Sequence, residues 1–366
     1  MKRKTMLKRV IAMMLILCLL FVTGCSSQKT ENNSAETKTT DTTAKSDDKE
    51  ASTGTRTVTN VDGTTVEIPE NVTGVAPTIG AFAHITAMLG GSDRIVASTQ
   101  GLDPLFFTVW PKTNPDKHDT SNMEDIIASG AQVTYGPNFT DEQRAQLEAA
   151  GISVLQINAF SNAEELKAIV TLIGDILGGD APERAKAFNT YYDGNIEYVK
   201  NMTKDLTDDQ KVRVLNLRYS SDSYTTVSGT DISAFYAESA GGNFVSEEYE
   251  ATDANMTVSA EQIIEWAPDV IFTMGRAAHD QIVNDPALAS VPAVANGKVF
   301  TEPSGTYPWS VRSAEGALMP LFLAKIMYPD IFKDLSVEDK TKEFYKDMYD
   351  YNLSDEEVKT IMAGRE

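Results

Sequence analysis

A pattern of twelve residues occurs twice in this chain, and its two copies lie 137 residues apart. The first copy runs from Glu124 to Tyr135 and the second from Glu261 to Phe272. In each copy Glu-x-Ile-Ile leads, without insertion or deletion, to a short strand-like run that contains Val and ends in an aromatic residue. A helical turn that feeds a buried strand, repeated at one fixed spacing, indicates two related α/β units. We therefore expect the chain to fold as two similar lobes.

Short apolar strands alternate with helical stretches in both halves of the chain. A hairpin is predicted first, because Asp62-Gly63 separates two alternating segments, 57–59 and 65–68. The later strands are predicted at 72–76, 94–98, 132–135 and 152–157 in the first half, and at 212–217, 270–274 and 298–301 in the second. Buried strands separated by helices are typical of parallel sheets covered on both faces. We therefore predict the α/β class, with two Rossmann-like lobes and a ligand cleft at the carboxyl ends of the strands.

One long helix is predicted between the two halves, at residues 181–206, with Pro182 in its first turn. Apolar residues then recur at spacings of three and four: Ala185, Phe188, Tyr192, Ile196 and Val199. About 25 residues at about 1.5 Å each make a rod of about 37 Å, which is longer than one small lobe needs. We expect this helix to join an N-terminal lobe at 56–180 to a C-terminal lobe at 207–312, with further helices at 313–366.

The first 55 residues predict targeting and a tether. Five bases precede an apolar run at 10–22, which is shorter than the roughly 20 residues that a membrane span needs. Small residues before Cys25 resemble a lipobox, so residues 1–25 are predicted to be a lipoprotein signal peptide with Cys25 as the lipid anchor. A plain signal peptide is the alternative. Residues 26–55 have no apolar side chain larger than that of Ala, which predicts a disordered tether.

The composition excludes several classes of function. The net charge is −21, and without the first 24 residues 27 bases stand against 53 acids, a balance of −26. Nucleic-acid phosphates and anionic lipid head groups repel so acidic a body. The only cysteines are Cys18 and Cys25, so the folded part has no thiol for catalysis or metal binding. The only histidines are His84, His118 and His279, which are too few and too scattered to favour direct metal binding. Because phosphate-loop, HExxH and G-x-S-x-G motifs are absent, we expect no enzyme.

Three segments, at 80–96, 261–271 and 292–299, resemble in their order and spacing the substrate-binding proteins of ABC importers for iron-siderophores, haem, cobalamin and related chelates. The resemblance extends over residues 56–332. It implies two lobes on a rigid helix, C-terminal helices that pack back on the body, and delivery of a ligand to a permease dimer with a cytoplasmic ATPase. In this family one carboxylate on each lobe meets arginines of the permease, and Glu124 and Glu261 match those positions. We expect a monomer at the extracytoplasmic face of the cell membrane.

Three arginines are the candidate ligand-binding residues. Between residues 214 and 311 the chain has three bases against thirteen acids, yet Arg218 and Arg276 each follow a predicted strand, and Arg312 follows the loop after the last one. A guanidinium is a planar fork of donors suited to carboxylate or catecholate oxygens. Flat aromatic surface beside these arginines is predicted from Tyr219, Tyr224 and Trp309. In the first lobe Tyr135, at a strand end, is a further candidate ligand-binding residue.

These features predict a bulky anionic ligand, and the resemblance makes a ferric siderophore the first candidate. Haem, a corrinoid and a small oxyanion of the molybdate type are the alternatives within the family, and no cofactor or protein-held metal is expected besides the cargo. A surface adhesin is the alternative of another class; the tether favours it, but paired lobes with matched glutamates do not. His84, inside an apolar helix, is expected to be buried and hydrogen-bonded rather than to contact a ligand.

Overall fold

The computed structural model describes residues 54–99, 102–113, 118–158, 161–246 and 255–366. The predicted signal peptide, the Cys25 anchor and nearly all of the predicted tether lie outside these residues. The described part forms one compact unit that begins near the first strand. Its helices include none that is both long and apolar enough to cross a bilayer.

A hairpin opens the first lobe, as predicted, with strands β1 (Thr55–Thr59) and β2 (Thr65–Pro69) pairing antiparallel. A parallel sheet of order β3-β4-β5 follows, formed by β3 (Val75–Pro77), β4 (Val133–Gly136) and β5 (Ser153–Gln156). Its helices are α1 (Gly80–Thr86), α2 (Pro104–Val109), α3 (Met123–Ala128), α4 (Asp141–Ala149) and α5 (Ala163–Leu177).

The predicted strand at 94–98 is wrong. Polar Ser92–Arg94 form a 3-10 turn, and the segment after them makes only isolated bridges, from Ile95 to Val75 and from Ser98 to Asp119. The predicted strand at 72–76 begins three residues later, at Val75.

Helix α6 (Ala181–Thr203) follows the first lobe and is unbroken at Gly194. Its apolar stripe faces inward, because Ala185, Phe188, Tyr192 and Val199 are all at most 1% exposed. The helix ends three residues before the predicted limit, where Thr203 bonds back to Val199 and accepts the amide of Leu206. The largest apolar core runs from the first sheet along α6 to one face of the second sheet, and two smaller cores cover the outer faces.

The second lobe is built on a parallel sheet of order β12-β11-β6-β9, with strands β6 (Arg213–Asn216), β9 (Asn243–Phe244), β11 (Val270–Thr273) and β12 (Val299–Thr301). An antiparallel sheet that the sequence analysis missed lies beside it, formed by β7 (Arg218–Ser220), β8 (Ser223–Val227) and β10 (Asn255–Val258). Its helices are α7 (Ile232–Ser239), α8 (Ala260–Trp266), α9 (Arg276–Asn284) and α10 (Pro292–Ala295). The predicted α/β class with parallel sheets is confirmed.

Three helices close the described chain, after a 3-10 turn at Ala314–Leu318: α11 (Met319–Met327), α12 (Val337–Tyr349) and α13 (Asp355–Ala363). Besides the predicted break near Pro329 there is a second, where Asp350 adopts a left-handed φ of 54° and Ser354 with Glu357 forms a capping box. Helix α11 packs on α6 and α7, and α12 packs on α11 and on the turn after α1. These helices therefore pack back on the body.

Candidate ligand-binding groove

The carboxyl ends of the strands in each parallel sheet define the edge at which open α/β sheets bind ligands. In the second lobe Arg218 begins β7 one residue after Leu217, Arg276 begins α9 after β11, and Glu302 follows β12 directly. The loop from Glu302 to Arg312 then leads into the C-terminal helices. Two of the three predicted arginines lie beside this loop: Arg312 ends it, and Arg218 is near enough to Glu302 for their charges to interact. We call the region of Arg218, Glu302 and Arg312 the groove.

Glu302 is the central acid of this region, and its side chain is 1% exposed. Burial raises the pKa of Glu302 to about 7, while Ser310 and the positive charges of Arg218 and Arg365 act in the opposite direction. Arg218 therefore lies near enough to Glu302 for their charges to interact. Glu302 is buried and Arg218 is partly exposed. Sequence reasoning missed Glu302, since an acid after a strand end carries no local signal of burial.

Arg312 is held on the other side of the loop by the side chain of Asp231, with its Nη2 3.3 Å from Oδ2. Asp231 also caps α7, because its Oδ1 accepts the amide of Ser233 at 2.9 Å. The Ser233 hydroxyl in turn donates to the carbonyl of Ser310 at 2.8 Å. The start of α7 thus fixes Arg312 and the loop together.

The side-chain amide of Asn216 makes no hydrogen bond within the described residues. Its side chain is fully buried at the end of β6, two residues before Arg218. Buried polar groups are normally satisfied, so an internal water is expected to hydrogen-bond to this amide.

Tyr219 and Tyr224 lie on the face of the β7–β8 hairpin opposite to Arg218, and their contact with a ligand stays a prediction. They oppose each other across the β7–β8 hairpin with ring centroids 5.1 Å apart. Tyr219 points to the other side of the strand from Arg218 because the two residues are consecutive. Tyr224 packs against the outer core of the second lobe and donates its hydroxyl to Asp285 at 2.6 Å.

Trp309 and Tyr135 are also placed differently from the prediction, because both side chains are fully buried. The indole Nε1 of Trp309 donates to Glu315 Oε2 at 2.8 Å, and the ring meets Phe322 edge-on. The hydroxyl of Tyr135 is hydrogen-bonded to Thr86 of α1. A fully buried side chain presents no surface to a ligand, so in this conformation both residues are structural.

Arg276 is about half exposed, and its guanidinium pairs with the side chain of Glu366. Its backbone amide donates to the carbonyl of Arg365 at 2.8 Å. The third predicted arginine is therefore engaged by the last described residues of the chain.

His84 is buried and hydrogen-bonded, as predicted. Its Nε2 lies 2.7 Å from both Thr306 Oγ1 and Tyr349 Oη, and 3.7 Å from Glu315 Oε1. Burial lowers the pKa of His84 to about 3 and raises the pKa of Glu315 to about 7. Glu315 also accepts hydrogen bonds from Thr306, Trp309 and Tyr345, at 2.5, 2.8 and 2.9 Å respectively. We call the set His84, Thr306, Trp309, Glu315, Tyr345 and Tyr349 the His84–Glu315 network.

Glu124 and Glu261 occupy equivalent places, each as the second residue of its helix and each exposed. Asn122 and Ser259, two residues earlier, cap the two helices with their side chains. Ile126 and Ile263 anchor the helices in the cores with no exposed area. The repeat seen in the sequence is thus a repeat in structure, and the contact of these glutamates with a permease stays a prediction.

Across the described residues, no group of three or more His, Cys, Asp or Glu side chains is placed to hold a metal ion.

Comparison with known proteins identifies the class. Residues 61–306, about two thirds of the chain, match the family model described as periplasmic binding protein. The chain belongs to this family, which comprises binding proteins of ABC importers and not enzymes.

Several solved structures share the fold. A periplasmic solute binding protein from Veillonella parvula is 25% identical with a TM-score of 0.72, over 84% of this chain and 97% of that one. MolA of Haemophilus influenzae, bound to molybdate, is 21% identical with a TM-score of 0.69, over 82% and 99%. CeuE of Helicobacter pylori with Ni(II) bound is 18% identical with a TM-score of 0.66, over 84% and 99%. The last two likenesses concern the fold alone.

Among curated proteins, the molybdate-binding protein MolA of Haemophilus influenzae is 34% identical over 95 residues. The match spans 25% of this chain and 27% of that protein, so the chain spans about a quarter of the curated relative that it matches.

Proposed function

We propose that this binding protein is a lipoprotein, anchored through Cys25 at the extracytoplasmic face of the membrane, which captures an anionic metal chelate and passes it to a dimeric permease. A ferric siderophore is the first candidate. The main support for an anionic ligand is that Arg218 and Arg312 follow strands β6 and β12 at the carboxyl edge of the second sheet. Guanidinium groups at such an edge suit carboxylate, catecholate or other oxyanion groups.

A small oxyanion of the molybdate type is the second candidate. The 34% identity with MolA over 95 residues favours it, and so does the loss of the predicted aromatic wall, because Tyr135 and Trp309 are buried. Calorimetric titration of the purified chain with sodium molybdate and with a ferric tris-catecholate separates the two candidates. Saturable 1:1 binding of either anion supports the proposed function, whereas binding of neither contradicts it. An adhesin would instead bind a macromolecule.

Arg218→Ala and Arg312→Ala should each weaken binding of the anion that binds the wild type by about 10- to 100-fold, since charged hydrogen bonds contribute roughly 1.5–3 kcal/mol. Lys298→Ala is the matched control, because Lys298 is exposed at the opposite, amino end of β12. It should change the dissociation constant less than twofold. Unchanged affinity in both arginine variants would remove the groove assignment.

The double variant Glu124→Ala/Glu261→Ala should bind ligand with wild-type affinity but lower uptake into cells at least tenfold. Both side chains are exposed on helices α3 and α8, outside the loop from Glu302 to Arg312. The reduced uptake is therefore expected to come from weaker docking to arginines of the permease. Glu142→Ala is the control, as Glu142 is also the exposed second residue of a helix in the first lobe. Normal uptake by the double variant would eliminate the docking role.

A further inference from the structure

The last described residues cross the carboxyl edge of the second sheet. Gly364 lies so close to the end of β12 that a Cβ there would overlap Thr301 and the carbonyl of Glu302. The carbonyl of Arg365 accepts the amide of Arg276, and Glu366 pairs with the guanidinium of Arg276, so the segment then passes over the end of β11. We call residues 364–366 the tail.

The tail places the Arg365 side chain between the lobes. Its Nη2 lies 3.5 Å from Oδ2 of Asp103, which caps α2 of the first lobe. Burial raises the pKa values of Glu302 and Tyr307. The positive charge of Arg365 opposes both shifts. Arg218 acts in the same way on Glu302, and Arg312 acts in the same way on Tyr307. Arg365 therefore belongs to the same group of charges as the two groove arginines.

We infer that Arg365 is a ligand-contacting residue of the groove, supplied by the tail to bind an oxyanion group of the cargo together with Arg218 and Arg312. This inference rests on the proposed function. Arg365 is 38% exposed in its side chain, and one long ion pair occupies few of the five donors of a guanidinium. The tail is in turn fixed by its contacts with Thr301 and Arg276, so the guanidinium is held in position before a ligand arrives.

The site so extended has a defined charge pattern. Arg218, Arg312 and Arg365 bring three positive charges, and Asp231 and Asp103 each hold one arginine by an ion pair. An incoming anion competes with these carboxylates rather than filling an unopposed positive pocket. A ligand with several separated oxygens, such as a carboxylate or catecholate chelate, reaches more than one arginine at once, whereas a single small oxyanion reaches fewer.

The test is calorimetric titration of the full chain with ferric tris-catecholate and with sodium molybdate, for wild type, Arg365→Gln, Arg365→Lys and Lys359→Gln. Lys359 is exposed on α13 and gives the same change of net charge away from the groove. Arg365→Gln should weaken binding of the anion that binds the wild type at least tenfold. Arg365→Lys should retain part of the affinity, because it keeps the charge but not the fork. Lys359→Gln should stay within twofold, and thermal unfolding of all variants should confirm the fold.

The outcomes separate the two claims. A change of less than twofold in Arg365→Gln, with Arg218→Ala still weakening binding, overturns the inference and leaves the proposed function intact. A loss that Lys359→Gln reproduces also overturns it, because net charge would then be the cause. Binding of neither anion by the wild type overturns the anionic cargo and, with it, the role of Arg365.

Discussion

Replacing Glu315 with alanine should lower the free energy of unfolding by about 3–5 kcal/mol, the largest effect that we expect from any single substitution discussed for this chain. Glu315 is fully buried and accepts hydrogen bonds from Thr306, Trp309 and Tyr345. Each buried donor that loses its acceptor carries a desolvation cost of about 1–3 kcal/mol. Urea unfolding followed by circular dichroism measures the change.

Glu197→Ala is the matched control, since Glu197 is an exposed acid on α6. Surface substitutions of this kind usually change stability by less than about 0.5 kcal/mol. A loss below about 1 kcal/mol for Glu315→Ala, at an unchanged denaturant dependence, would mean that water or rearranged side chains replace the missing carboxylate.

The free energy of unfolding should fall as the pH rises from about 5 to about 7. Burial raises the pKa values of Glu302 and Glu315 to about 7, so in this range the folded protein holds protons that the unfolded chain has released. The stability that these two glutamates contribute is fully present below their pKa of 4.5 in the unfolded chain. It is lost progressively as the pH rises to their pKa of about 7 in the folded protein. His84 opposes them below pH 6.5, because its pKa is lowered on folding to about 3.

Because two glutamates oppose one histidine, the free energy of unfolding should decrease overall in this range. Glu302→Gln and Glu315→Gln should each make the decrease smaller. Urea unfolding at about pH 5, 6 and 7.5, which span this range, measures the decrease in the free energy of unfolding. Glu197→Gln should show the wild-type pH dependence, as its side chain is exposed. Stability that rises through this range in the wild type would show that the buried glutamates are ionised in the folded state.

The architecture could be predicted because its signals are local. Each copy of the repeat at Glu124 and Glu261 and the apolar stripe of α6 is a pattern within about 15 consecutive residues, and both patterns appear in the structure. The hairpin at Arg218–Val227 carried only a weak local signal, because its turn is Ser221-Asp222 rather than Asn-Gly or Asp-Gly. It was missed because positive φ values, here 50° and 58°, are uncommon for Ser and Asp.

The site was less predictable because it depends on contacts between distant parts of the chain. Trp309 is buried through Glu315 and Phe322, so nothing near Trp309 alone distinguishes a groove wall from a core residue. The approach of Arg365 to Asp103 joins opposite parts of the chain. Strand-end positions predicted Arg218 and Arg312 near one loop, but they could not show which side of a strand Tyr219 faces.

The His84–Glu315 network bears on how a ligand arrives. His84 belongs to α1 of the first lobe, whereas Thr306 lies in the loop after the last strand of the second and Tyr349 on α12. Buried hydrogen bonds that span these three parts leave the lobes little freedom to swing apart. Under the proposed function, capture is then a collision with a groove that is already formed, and its rate is limited by diffusion rather than by an opening step.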